Sequence, residues 1–152
     1  MTRRRCLFVV LAGLICAGPV AAEEGGFTII RAGAVEFQPV EQLPGLAIAV
    51  LAGDPAQPGP YVLRVRFSPG VMTPPHFHSQ DRLITVLSGT WHAGIGEAFD
   101  PAATTALTPG SFMRHPAGQA HFDGAKDGIA IVQITGVGPV ETTFLDQPRS
   151  SP

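Results

Sequence analysis

Glycine and proline interrupt this chain throughout its length, 18 and 15 of 152 residues. They are interspersed with short apolar or alternating runs and never form one tract. Glycine opens the backbone to turns and proline withholds a ladder donor, so each run between them is confined to a short element. Neither a long amphipathic helix nor an internal repeat is present. The pattern predicts many short strands joined by turns, an all-β sandwich or barrel.

The clearest strand is Tyr61–Phe67, in which Leu63, Val65 and Phe67 alternate with Arg64 and Arg66. The apolar set should face a core and the arginines solvent. Leu46–Leu51, Leu83–Ser88, Phe112–His115 and Gly128–Ile134 read as further strands. Thr90–Ile95 is expected to form a hairpin with Leu83–Ser88 across Gly89, and Trp91 reads as packing. Phe27–Arg31 is expected to be a first strand, Val35–Phe37 a short one, and Val140–Leu145 an edge strand. Asp100 and Pro101 read as cap and first position of one helical turn. Asp123 and Asp127 flank a glycine-containing turn and are expected in solvent.

Within this framework lies Thr73-Pro-Pro-His-Phe-His78. On a strand, side chains at i and i+2 share a face, so His76 and His78 can meet one metal ion. The two prolines stiffen the lead-in at a place where no ladder donor is needed. His121, in Pro116-Ala-Gly-Gln-Ala-His121, is the candidate third ligand.

The spacing of these residues resembles a known family. From Gly70 the chain reads glycine, five residues, His76-x-His78, three residues, Arg82, six residues, Gly89. From Gly110 it reads glycine, five residues, Pro116-x-Gly118, two residues, His121. These are similar to the two motifs of the cupins, in order, and the resemblance covers roughly residues 60 to 135. It implies a double-stranded β-helix, the jelly-roll barrel, in a single domain. It also implies one divalent transition metal on His76, His78 and His121, with a homodimer as the family's habit. Imidazole ligands suit Fe, Ni, Cu and Zn, with Mn admissible.

Two positions depart from the family. Ala125 stands where an asparagine is common after the third histidine. Arg82 stands where the family has a glutamate ligand, and an arginine cannot coordinate a metal. Three readings stay open. The site is three neutral histidines plus water or substrate, resembling the three-His iron site of thiol dioxygenases. Alternatively Gln80 or Asp81 swings in as a fourth oxygen ligand. Or the metal has been lost and a ligand pocket or bare scaffold remains. Arg82 is a candidate contact for an anionic ligand, because parity places it on the face of Ile84 and Val86. His92 and His115 approach the interior, where a histidine with an ordinary hydrogen-bond partner is the simpler expectation.

The start of the chain has another character. Arg3, Arg4 and Arg5 precede an apolar run from Cys6 to Val20 and then Ala21-Ala22, which reads as a signal peptide over residues 1–22 cleaved near Ala22. The run is short for a permanent membrane span, which needs roughly 20 apolar residues. The basic start also resembles a twin-arginine export signal. The expected organisation is therefore a leader, a cupin domain over 23–145 and a flexible tail over 146–152. Loss of the leader removes Cys6 and Cys16, the only cysteines, and takes the net charge from −2 to −5. A cysteine-free exported domain must be held by its core rather than by disulfides. No basic patch invites nucleic acid.

The expected protein is thus an exported, periplasmic or secreted, metal-binding cupin with a small-molecule ligand. It is either a small-molecule dioxygenase with a three-His site or a non-catalytic module that senses or carries a metal or small ligand. A redox metal with open positions permits oxygen chemistry, and zinc permits Lewis-acid chemistry. The sequence selects no substrate.

Overall fold

The computed structural model describes residues 26–145. The expected leader with its two cysteines, residues 1–22, and the expected tail, 146–152, lie outside the described residues.

Among the described residues eleven strands follow one another: β1 (Gln38–Pro39), β2 (Leu46–Ala52), β3 (Gly59–Phe67), β4 (His76–His78), β5 (Arg82–Ser88), β6 (Trp91–Ile95), β7 (Thr105–Leu107), β8 (Phe112–His115), β9 (His121–Gly124), β10 (Ala130–Gly138) and β11 (Thr142–Phe144). They form a six-stranded sheet, β1-β2-β3-β10-β5-β8, and a five-stranded sheet, β11-β4-β9-β6-β7. The pairings between these strands are antiparallel. Among the described residues the only helical elements are two 3-10 turns, Ala32–Ala34 and Pro101–Ala103. The second starts as expected, with the Asp100 carboxylate accepting from the Ala102 amide at 2.9 Å. No helix among the described residues is long and apolar enough to cross a membrane.

The alternation in β3 explains the layering. Tyr61, Leu63, Val65 and Phe67 are buried and meet Ile84, Val86, Val132 and Ile134 of the neighbouring strands in one core. On the other face, Arg64 Nε donates to Gln133 Oε1 at 3.2 Å. The Arg66 guanidinium lies 4.9 Å from the centre of the Phe37 ring, a cation–π contact that keeps the charge outside. The expected hairpin across Gly89 does not form: β5 belongs to the large sheet and β6 to the small one, because each finds its partners elsewhere, and the chain crosses between the sheets at a corner that needs glycine. Gly89 has φ +70°, and a Cβ there would run into the Ile129 carbonyl.

The N-terminal segment corrects one expectation. Phe27–Arg31 forms no strand, and Phe27 and Ile29 are exposed. The ladder begins instead at Gln38–Pro39, which pairs with Ala47 and Ile48; Val35–Phe37 lies just before it. Strand propensity is realised only where a partner strand and a buried face are available, and β1 already pairs with β2.

Candidate metal and ligand site

Register assembles the site. In the small sheet His76 pairs directly with His121, and His78 with Thr142. In the large sheet Arg82 pairs with His115. The inward faces of the two sheets therefore bring together four histidines and an arginine from β4, β5, β8 and β9. All four histidines are buried. One ring nitrogen from each of His76, His78 and His121 lies within 4.8 Å of the others, close enough to share one metal ion.

Hydrogen bonds on the far side of each ring fix how the histidines face inward. His76 Nδ1 lies 2.8 Å from the Pro74 carbonyl and His121 Nδ1 2.9 Å from the Gln119 carbonyl. A carbonyl only accepts, so each Nδ1 carries the proton and each Nε2 presents a lone pair. His78 reaches the same tautomer by another route. Arg82 Nη1 lies 2.9 Å from His78 Nε2 and 3.4 Å from Nδ1, the shorter contact making Nε2 the acceptor, and Nδ1 lies 2.9 Å from Thr142 Oγ1. Such outer partners orient metal-binding imidazoles and fix their tautomers. Thr142 therefore belongs to the site, and no sequence motif marked it.

Burial keeps the rings neutral. It pushes His76 down to about 4 despite its bond to the Pro74 carbonyl, and His121 down to about 4. His115 is pushed to about 2 by burial and then by His121 and Arg82. His78 moves in the same direction, through burial first and Arg82 next. Neutral imidazoles are what a metal needs, since a protonated ring has no lone pair to give.

Arg82 points inward. Part of its side chain stays accessible, but Nε is buried with no hydrogen-bond partner. Asp81 does not offset its charge. That exposed carboxylate accepts from Arg114 Nη2 at 2.6 Å, Arg114 Nε at 2.9 Å and the Ala117 amide at 2.8 Å. These bonds, the amide first, hold its pKa below the usual carboxylate range. Gln80 is also exposed, so the structure brings neither Gln80 nor Asp81 to the three histidines.

The nearby carboxylate is Asp123, which corrects the expectation of a solvated turn residue. It is buried, with Oδ2 4.0 Å from His121 Nε2. Strand parity carries the signal: Asp123 is two residues beyond His121 on β9 and shares its face. Burial raises its pKa, against the fields of His121 and Arg82. Its backbone is fixed by Thr73, whose amide donates to the Asp123 carbonyl at 2.8 Å. Trp91, packed in the core as expected, turns Nε1 toward Asp123 without reaching hydrogen-bond geometry.

His115 departs from the simpler expectation of a partnered core histidine. Its Nε2 is buried and unpartnered, and its ring centre is 3.7 Å from that of His121. His115, His121 and Asp123 form a second group whose ligand atoms lie within 4.8 Å of one another. The two groups share His121. His92 stays apart, half-buried, with Nδ1 3.4 Å from Thr104 Oγ1.

His76, His78 and His115 lie on a cavity of about 850 Å³, lined also by Arg82, Ile84, Trp91, Asp123 and Phe144. Orphaned buried polar atoms, His121 Nε2 and His115 Nε2 among them, line up with the bidding of a metal or polar ligand for lone pairs. The donor set fits a borderline, imidazole-loving cation.

Two facing antiparallel sheets that turn this cluster toward a central cavity define a cupin. The chain belongs to the family described as a domain of unknown function (DUF4437), whose profile matches residues 28–148. Solved structures share the fold. The polyketide cyclase RemF from Streptomyces resistomycificus is 21% identical, with a TM-score of 0.64, over 80% of this chain and 89% of that one. A sugar phosphate isomerase of the cupin superfamily from Silicibacter pomeroyi is 18% identical, with a TM-score of 0.60, over 79% and 83%. KdgF from a Halomonas species is 18% identical, with a TM-score of 0.57, over 74% and 96%. No curated protein is a significant match for the sequence.

Proposed function

We propose that this is an exported cupin that holds one divalent transition metal on His76, His78 and His121 and takes a small anionic molecule beside it. The observation that carries the reading is the common tautomer of the three rings. Each Nδ1 is engaged, by Pro74, Thr142 and Gln119, which leaves each Nε2 as the lone-pair nitrogen, and one ring nitrogen of each lies within 4.8 Å of the others. Fe, Mn, Ni, Cu and Zn all fit an imidazole set of this kind.

The leading reaction class is small-molecule dioxygenation. A redox-active metal would supply oxygen chemistry there, whereas zinc would supply Lewis acidity. The chain's own residues have separate tasks. Arg82 fixes the anionic end of the ligand through charge-assisted hydrogen bonds. Asp123, whose pKa burial raises, places Oδ2 4.0 Å from His121 Nε2, where it can accept or return a proton. The apolar cavity wall excludes water. Neighbours named as a cyclase and an isomerase share the barrel, but a fold does not choose a reaction.

A second reading, a non-catalytic periplasmic module that binds a metal or small ligand, is favoured by one contact. Arg82 already occupies the His78 lone pair that the metal would use. The two readings separate on metal analysis of the purified protein, followed by oxygen uptake with thiols, phenols and enols. A bound redox metal with turnover selects the enzyme, and zinc without turnover selects the module. If neither wild type nor refolded protein takes up metal, while a His76→Ala, His121→Ala double variant behaves identically, the three-His site is wrong. Export rests on the leader over residues 1–22. An intact-mass measurement on protein from the native cell should read a start near Glu23, and a cytoplasmic product starting at Met1 would overturn it.

A further inference from the structure

The cavity changes character along its length. Its exposed lining residues mark the mouth and include Gln38, Glu41, Gln42 and Glu141. Deeper in, the wall is aliphatic and aromatic, with Leu46, Ile48, Val65, Phe67, Val132 and Ile134. The buried His76, His78 and His115, with Arg82 beside them, form the floor. A volume of about 850 Å³ lies in the range that encloses most of a drug-sized molecule.

Each zone excludes a class of ligand. A polyol stretched along the wall would lose its water and find no hydrogen-bonding partners there, which is costly for every hydroxyl. At the floor, an arginine does not give up its proton. Arg82 Nε is buried without an acceptor although the field of Asp123 reaches the guanidinium, and a partly buried cation gains from further counter-charge and acceptors. A carboxylate supplies both, matching the guanidinium fork. At the mouth, Glu41 and Glu141 repel a second negative charge on the outer end of the ligand.

We infer that the ligand is a monoanionic amphiphile: one carboxylate head at Arg82, an apolar body along the wall, and no charge at the trailing end. The inference rests on the reading of this cavity as the ligand site and adds the class of molecule that fills it. Arg82 sets the head, the β2, β3 and β10 residues set the body, and the acidic mouth sets the far end.

Calorimetric titration of the purified chain, zinc-loaded and metal-free, with octanoate, octan-1-ol, acetate and glucose 6-phosphate tests it. A buried methylene contributes about 0.8 kcal/mol, roughly fourfold in affinity. Even with half of that realised, octanoate should bind at least about fiftyfold more tightly than acetate. It should also exceed octan-1-ol by about tenfold or more, and glucose 6-phosphate by a wider margin. Arg82→Met should weaken octanoate by about tenfold or more and leave octan-1-ol unchanged. Ile48→Trp, which narrows the wall away from the floor, should weaken octanoate and leave acetate unchanged, and it serves if Arg82→Met fails to fold. Acetate binding as tightly as octanoate, octan-1-ol binding as tightly as octanoate, or tighter binding of glucose 6-phosphate would each overturn the inference. Zinc content measured on the same samples separates the two levels. A chain that takes no zinc but binds octanoate through Arg82 loses the metal and keeps the ligand class. A chain that takes zinc without preferring octanoate does the reverse.

Discussion

At position 82 an arginine donates to the histidine beside which the family places a glutamate. Arg82 Nη1 sits 2.9 Å from His78 Nε2, so a metal ion must displace a charge-assisted hydrogen bond before it can use that nitrogen. Such bonds contribute about 1.5–3 kcal/mol. Arg82→Glu removes the competitor and restores an acidic oxygen, so the variant should bind zinc at least about tenfold more tightly in competition with a chelating dye. The same variant should lose affinity for carboxylates, since their cationic partner is gone. Unchanged zinc and carboxylate affinities would place Arg82 outside the site. The arginine was legible from spacing and parity, but its hydrogen bond to His78 was not. Asp123 was misread for a related reason. Its neighbours in sequence are those of a turn, while its neighbours in space are His121 and Trp91.

The elements owe their positions to register and to a few glycines. His76 meets His121 because β4 and β9 pair at that point alone, and a shift by one residue would turn either ring to the opposite face. The β5–β6 corner sets the register that follows it. Gly89 has φ +70° and no room for a Cβ beside the Ile129 carbonyl, whereas Gly118 has φ +71° with open space around it. Gly118→Ala should therefore cost only the left-handed backbone penalty, about 1–2 kcal/mol. Gly89→Ala should cost more, because the backbone of the β10 approach must also move. Urea unfolding of the two variants checks this; equal losses would mean that the corner is soft. Strand alternation in β3 and a turn at Gly89 were readable from the sequence, but not that the turn would carry the chain from one sheet to the other instead of closing a hairpin. The missing strand at Phe27–Arg31 was not, because whether a β-prone segment pairs depends on which partner has a free edge.

For the whole molecule, four buried neutral histidines make stability depend on pH. In the unfolded chain each titrates near 6.5, while in the folded chain His76 and His121 fall to about 4 and His115 to about 2. Below 6.5 the unfolded chain binds more protons, so the stability contributed by these groups is complete above 6.5 and is lost as the pH falls toward 4. Each histidine adds a slope of about 1.4 kcal/mol per pH unit inside that window. Asp123 acts in the opposite sense: its raised pKa contributes stability that is present below the ordinary carboxylate value and lost as pH rises through its folded value. The urea midpoint of the metal-free protein should be nearly flat above pH 7 and fall steeply from pH 6.5 to 5, with a shallower fall in His115→Phe. A midpoint unchanged between pH 7.5 and 5 would show that the histidines are not buried neutral.

The sequence by itself determined the class of architecture, because glycine and proline spacing and two-residue alternation are local properties that act through the backbone of each segment. It also determined the ligand candidates, because strand parity ties His76 to His78 without reference to the rest of the chain. Tertiary structure alone decided what these side chains touch. Arg82 reached His78 Nε2, Thr142 came beneath His78 Nδ1, Asp81 was taken by Arg114 and Ala117, and Asp123 was buried beside His121. Each of the last three depends on a pairing between residues distant in sequence, or on which face of a strand the second sheet covers. Those contacts are set by cross-strand register and by the packing of one sheet on the other, which no single segment encodes.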